Sequence, residues 1–152
     1  IQKFIVHEIN RARRQQEDLT LILCDIDRFK QVNDNYGHDG GDIALKHVAD
    51  LFKETIREQD GVARWGGEEF LFVLPTTNEN NGVVLAEKIR ETLQSTPVPI
   101  KNTSLTITAS FGVAQIHLEN GLNNALSLAD KALYRAKENG RNKVLSASSL
   151  AP

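Results

Sequence analysis

Cysteine, methionine and proline are all scarce in this 152-residue sequence: it holds one Cys, no Met, four Pro and one Trp. A lone Cys24 can close no disulfide within the chain and cannot build a cysteine zinc site. It stands in an apolar run, where a buried, inert thiol is expected, and the reducing cytoplasm is the compartment that suits it. With so little proline, only 10 glycines and 40% hydrophobic residues, the chain is neither collagenous nor disordered. Neither sign of charge dominates, since 18 Lys and Arg against 20 Asp and Glu leave a net charge of −2. The electrostatic footprint of a nucleic-acid binder is therefore missing, and nucleic acid is excluded as a partner. No apolar run approaches the roughly 20 residues of a membrane-spanning helix, and no signal peptide opens the chain. Lacking Met and beginning inside a helical pattern (Ile1, Phe4, Ile5, Ile9), the sequence reads as a piece of something longer, whose parent protein could still be membrane-anchored.

What is present fits one domain of ordinary composition. Leu19 to Cys24 is a buried strand that stops at Asp25, Ile26 and Asp27. After the turn residues Gly37, Gly40 and Gly41, the positions Leu45, Val48, Ala49, Phe52 and Ile56 mark one face of a long helix. Val62–Trp65 and Phe70–Leu74 read as two strands joined in a tight hairpin by Gly66 and Gly67. A second core helix follows on Leu85, Ala86, Ile89 and Leu93, closed by Pro97 and Pro99. Alternation of Leu105, Ile107, Ala109, Phe111 and Val113 with Thr and Ser predicts one half-buried strand. Leu122 to Ala136 keeps a helical face for four turns, Gly140 stands where a C-terminal cap belongs, and a short strand, Lys143 to Leu145, follows. Alternating elements around a hairpin predict an α/β sandwich with a mixed sheet flanked by helices. Residues 1–146 form the domain and residues 147–152 a linker or frayed tail.

The chemistry gathers in two acidic sets, Asp25 with Asp27 at the end of the first strand and Glu68 with Glu69 after the glycines. For any one such residue a solvated turn is the ordinary role. If the strand lies beside the hairpin, however, the carboxylates converge, and a cation is needed between them. Mg²⁺ suits one or two carboxylates with a carbonyl, completing its shell with waters and substrate phosphates. A glycine turn without side chains would let phosphate approach the backbone at Gly66 and Gly67.

Arg64-Trp65-Gly66-Gly67-Glu68-Glu69-Phe70 resembles the signature of the GGDEF family, the diguanylate cyclases. The likeness extends through Asp25-Ile26-Asp27-Arg28-Phe29-Lys30, Asn33-Asp34, Gly37-His38-Asp39, Gly41-Asp42, Ala129-Asp130, Ala132 to Lys137 and Gly140-Arg141-Asn142. It covers nearly the whole chain and implies a fold similar to adenylyl cyclase catalytic domains and the polymerase palm. It also implies condensation of two GTP into cyclic di-GMP with release of two pyrophosphates, one GTP being held by each subunit of a homodimer. By the same resemblance Asp25, the carbonyl of Ile26 and Glu68 hold Mg²⁺ or Mn²⁺, with Glu69 as a further ligand or as the base for the 3′-hydroxyl. Asn33 and Asp42 match the guanine-recognising pair; Lys30, Lys137 and Arg141 match phosphate contacts. Without the other motifs, Asp42 would be a helix N-cap and Lys137 and Arg141 a pair of cations at a helix C-terminus. Arg57 and Asp60 form an R-x-x-D at the offset of the family's inhibitory product site, with Arg90 as a further cation there. The family's usual segment before the first helix is absent, and an upstream sensor or dimerisation domain is implied. The competing reading is a non-catalytic receptor for cyclic di-GMP or GTP, which degenerate signature carboxylates would favour; they are intact.

Overall fold

β1 (Leu19–Ile26) is buried along its whole length because a strand lies on either side of it and helices cover both faces. In the structure, a computed structural model in which residues 1–150 are described, the sheet order is β2 (Gly61–Arg64), β3 (Glu69–Pro75), β1, β6 (Ala109–Gln115) and β7 (Val144–Ser146). All neighbours pair antiparallel except β6 and β7, which run parallel, so the sheet is mixed as the hairpin requires. Side-chain alternation sends Ile22, Cys24, Phe70, Phe72 and Phe111 to one face, under α2 (Phe29–Thr55) and α3 (Glu79–Ser95). Leu19, Leu21, Leu23, Leu71 and Val73 go to the other, under α1 (Gln2–Gln15) and α4 (Gly121–Glu138). Cys24 is fully buried, and burial pushes its thiol well above the ordinary value, as an inert core position requires.

Four local expectations are corrected. α2 breaks only at Gly37 (φ 77°), whereas Gly40 and Gly41 are helical, so Asp42 stands inside the helix and caps nothing. Gly41 is needed for room: a Cβ there would lie 1.9 Å from Asn33 Oδ1 and 3.0 Å from the Phe29 ring. The β2–β3 connection is a four-residue loop, 65–68, and neither Gly66 nor Gly67 takes a positive φ. Val98–Ile100 (β4) and Thr103–Leu105 (β5) form a separate two-stranded hairpin that turns at Lys101, with Pro99 opposite Ser104 at an edge where its missing N–H costs no ladder bond. The single half-buried strand expected over 105–113 is therefore split, and its second part, β6, is buried on both faces. The segment after β7 turns through a short 3₁₀ helix, Ala147–Ser149, where Ser148 N–H donates to Glu79 Oε1. Residues 151–152 of the expected tail lie outside the described residues. No helix is long and apolar enough to cross a membrane among the described residues.

Candidate active site

Antiparallel register places Asp25 directly opposite Glu69 at the end of β1 and β3. Both leave the sheet on the face of Leu23 and Leu71, beneath α4. Cβ atoms of such a pair stand about 5 Å apart, where like charges repel. Burial and repulsion act together on these groups. Asp25 is held above its ordinary value chiefly by burial, and Lys137, whose Nζ lies 2.6 Å from Asp25 Oδ2, pulls it down without cancelling that effect. Glu69 is also raised, by burial first and then by the charges of Asp25 and Asp130. Between them and α4 opens a cleft of about 450 Å³ lined by Asp25, Glu69, Asp130, Tyr134 and Lys137. Asp130, Tyr134 and Lys137 recur at i, i+4 and i+7, so one helix stripe forms a wall of the cleft.

The donor set fits a divalent cation. Two partly buried carboxylates face one another with one ammonium to compensate them, a carbonyl edge is adjacent at Ile26, and Glu68 stands in the bend just before β3. Its backbone carbonyl accepts from Ile26 N–H at 3.1 Å, and its charge also raises Asp25. Among the described residues no three side chains already form a metal cage. Mg²⁺ asks for no such cage, because waters and substrate phosphates complete its shell.

Around this centre the phosphate and base candidates fall on two sides of the sheet edge. Gly66 lies under the Glu69 carboxylate, a Cβ there being 3.0 Å from Oε1, and Gly67 faces open space. Glycine serves here by leaving room rather than by relieving strain. Lys30 is exposed on the first turn of α2, and Asn33 is half-buried with its amide oxygen against Gly41, the residue before the exposed Asp42, across the break at Gly37. Arg141 is exposed in the turn after α4, one residue past Gly140 (φ 115°), whose left-handed backbone ends the helix as expected. Asp27 does not join the carboxylate pair. Its oxygens accept from Thr108 Oγ1 (2.8 Å), Ser110 Oγ (2.7 Å) and the Asn142 N–H (2.9 Å).

The sequence matches the family described as "Diguanylate cyclase, GGDEF domain" over residues 1–143. The chain belongs to the GGDEF family. It is 39% identical over 142 residues to Diguanylate cyclase A of Treponema denticola, covering 91% of this chain and 38% of that protein. Among solved structures it resembles the active GGEEF domain of a diguanylate cyclase from Vibrio cholerae, with a TM-score of 0.84 and 36% identity over 93% of this chain and 90% of that one. The GGDEF domain of DgcB from Caulobacter crescentus, solved in complex with cyclic di-GMP, has a TM-score of 0.87 and 30% identity over 93% of this chain and 85% of that one. The chain spans less than half the length of the curated relatives it matches.

In this GGDEF domain the R-x-x-D pair is closed on itself. Arg57 Nε and Nη2 donate to Asp60 at 3.0 and 2.8 Å, and Nη2 also reaches Thr77 Oγ1 at 2.6 Å. The Asp60 side chain is wholly buried while that of Arg57 is 44% exposed, so the guanidinium is open to a ligand and the carboxylate, expected to accept from a guanine edge, is turned inward. Arg90 is not brought to Arg57. It bonds Glu87 and Asn142, at the end of β1 where Asp27 sits, whereas Arg57 bonds Pro75, which pairs with Leu19 at the other end. Asp130 and Tyr134 line the cleft without having been assigned roles from sequence; their spacing from Lys137 was the available signal.

Proposed function

We propose that residues 1–146 form a diguanylate cyclase domain that condenses two GTP into cyclic di-GMP, using Mg²⁺ or Mn²⁺, with one GTP on each subunit of a homodimer. The observation that carries this reading is the Asp25–Glu69 pair, set opposite one another at the sheet end and faced by Lys137. A bound divalent cation would neutralise triphosphate charge and polarise the α-phosphorus. Asp25, the Ile26 carbonyl and Glu68 hold that cation, while Glu69 completes the set or takes the 3′-hydroxyl proton. Lys137 neutralises Asp25 until a nucleotide arrives and then shares its charge with the phosphates, joined by Lys30, Arg141 and the backbone at Gly66 and Gly67. Asn33 and Asp42 read guanine, since a carboxylate accepts from its N1 and N2 hydrogens and adenine offers no such donors to that acceptor. The product's own symmetry suits a two-fold pair of half-sites. The domain works in the cytoplasm under an upstream sensor or dimerisation module.

The test is to incubate concentrated, nucleotide-stripped protein with GTP and Mg²⁺ and to quantify cyclic di-GMP and pyrophosphate. A two-to-one ratio of pyrophosphate to cyclic product is expected. No product at any protein concentration, with cyclic di-GMP bound stoichiometrically, would favour the receptor reading instead.

Product inhibition follows from Arg57, whose exposed guanidinium can pair with a product phosphate. Arg57→Ala is expected to relieve inhibition by added cyclic di-GMP while leaving the initial rate near that of the parent. It should also lower the melting temperature by about 5 °C, because removing the partner of a buried carboxylate costs on the order of 2 kcal/mol. Retained inhibition in rate assays with added product would refute the assignment.

A further inference from the structure

We propose that Asp27 is a positioning residue for Arg141: it clasps the turn after α4 to the sheet so that this cation is aimed at the triphosphate. The inference rests on the cyclase reading of the site. Gly140, Arg141 and Asn142 take φ values of 115°, 64° and 49° in succession, and two of these three carry side chains. Such a run is costly for non-glycine residues and persists only where its surroundings hold it.

Beyond the closing bond of α4, from Arg141 N–H to the Ala136 carbonyl at 3.0 Å, the restraint comes from two directions. From the sheet side, Asp27 is 8% exposed, and its carboxylate accepts the Asn142 N–H together with the hydroxyls of Thr108 and Ser110. Asp27 is itself fixed, its own N–H donating to the Thr108 carbonyl at 2.9 Å. From the helix side, Arg90 Nη1 donates to Asn142 Oδ1 at 3.1 Å while Glu87 holds the rest of its guanidinium. The turn begins two residues after Lys137 and carries Arg141 at its middle. Asp27 follows Asp25 and Ile26 directly. One carboxylate thus couples the cation-holding end of β1 to the phosphate-holding end of α4, without needing to touch either ligand.

The distinguishing experiment is a double-mutant cycle on GTP affinity in the presence of Mg²⁺, with Mn²⁺ binding and melting temperature measured alongside. Arg141→Ala is expected to weaken GTP about tenfold, the scale of one charge-assisted hydrogen bond. Asp27→Ala should reproduce most of that loss, and adding it to Arg141→Ala should cost less than about twofold more. Mn²⁺ affinity without nucleotide should stay unchanged, and Asp27→Asn, which can still accept from Asn142 N–H, should recover most of the affinity. If Asp27→Ala does not fold, the pair Thr108→Val with Ser110→Ala replaces it in the same cycle, removing both hydroxyls that pin the carboxylate to the sheet and so releasing the clasp on Asn142. Additive losses, no loss, or a loss of Mn²⁺ binding would each overturn the assignment. Parent protein that binds no GTP would overturn the cyclase reading as well, a result distinct from binding without coupling.

Discussion

Glu69→Gln is expected to reduce cyclic di-GMP formation by at least about a hundredfold while raising, rather than lowering, the melting temperature of the nucleotide-free domain at neutral pH. Both effects have one source. Glu69 faces Asp25 across the strand pair and feels Asp130 from α4, so burial and like charge hold its carboxyl above the ordinary 4.5. Whether Glu69 takes the 3′-hydroxyl proton or completes the cation's ligands, an amide cannot replace it. For stability, the sign follows from proton uptake. A carboxyl with a raised folded-state value binds protons more readily in the folded than in the unfolded chain, so stability falls as pH rises through the interval from 4.5 upward. The penalty is complete above the folded-state value, and the neutral amide never incurs it. Thermal melts from pH 4.5 to 8 should therefore show a shallower decline in Glu69→Gln than in the parent, with product measured by chromatography. Substantial turnover in the variant would remove Glu69 from the chemistry. A lower neutral-pH melting temperature would show that its contacts outweigh the repulsion.

That charge pair was legible before the fold was known, because a buried run such as Leu19–Cys24 can end in carboxylates only where the sheet meets solvent, and the hairpin signal placed Glu69 near the same edge. Less legible were the places where tertiary contacts overrule local signals. Gly40 and Gly41 read as a turn, yet they are helical, and they are glycine because Tyr36, Asn33 and Phe29 fill the space their side chains would need. The pattern from Leu105 to Val113 alternates perfectly, yet the backbone breaks within it because its two ends have different partners, Thr103–Leu105 pairing with Val98–Ile100 and Ala109–Gln115 with β1. Pro97 and Pro99 read as stops although Pro99 sits in an edge strand. At the R-x-x-D, spacing brought Arg57 and Asp60 together, but spacing carries no side-chain direction, and the two turned toward each other. Asp27 shows the same limit: a period of two predicts the face of Asp25, but the chain leaves the strand after Ile26.

The largest effect on the fold is expected from Gly112→Ala, a substitution of one methyl group about which the sequence alone said nothing. α4 meets β6 through small residues, with Ala125, Ala129, Ala132 and Ala136 all buried beneath it. At Gly112 the approach is so close that a Cβ would lie 2.0 Å from the Ala129 carbonyl oxygen and 2.6 Å from the Leu133 nitrogen. Those are backbone atoms, which no rotamer change can move aside, so the helix must lift from the sheet. Overpacking commonly costs about 1–3 kcal/mol, and a backbone clash belongs at or above the upper end, which corresponds to a fall of about 10 °C in melting temperature. Gly82→Ala is the control. Its Cβ would be 2.7 Å from Thr20 Cγ2 and 3.0 Å from Val113 Cγ1, side-chain methyls on the far face of the sheet, so α3 can adjust at a smaller cost. The two variants should differ in function as well. α4 carries Lys137, and a lifted helix withdraws its ammonium from Asp25, now 2.6 Å away, together with the turn that bears Arg141. Gly112→Ala should therefore lose most GTP affinity at temperatures where it remains folded, whereas folded Gly82→Ala should keep it. Circular dichroism melts with GTP titrations below the transition decide the matter. A Gly112→Ala protein melting within about 2 °C of the parent would mean that α4 rides on the sheet with slack, and that the distance from Lys137 to Asp25 is not set by this contact.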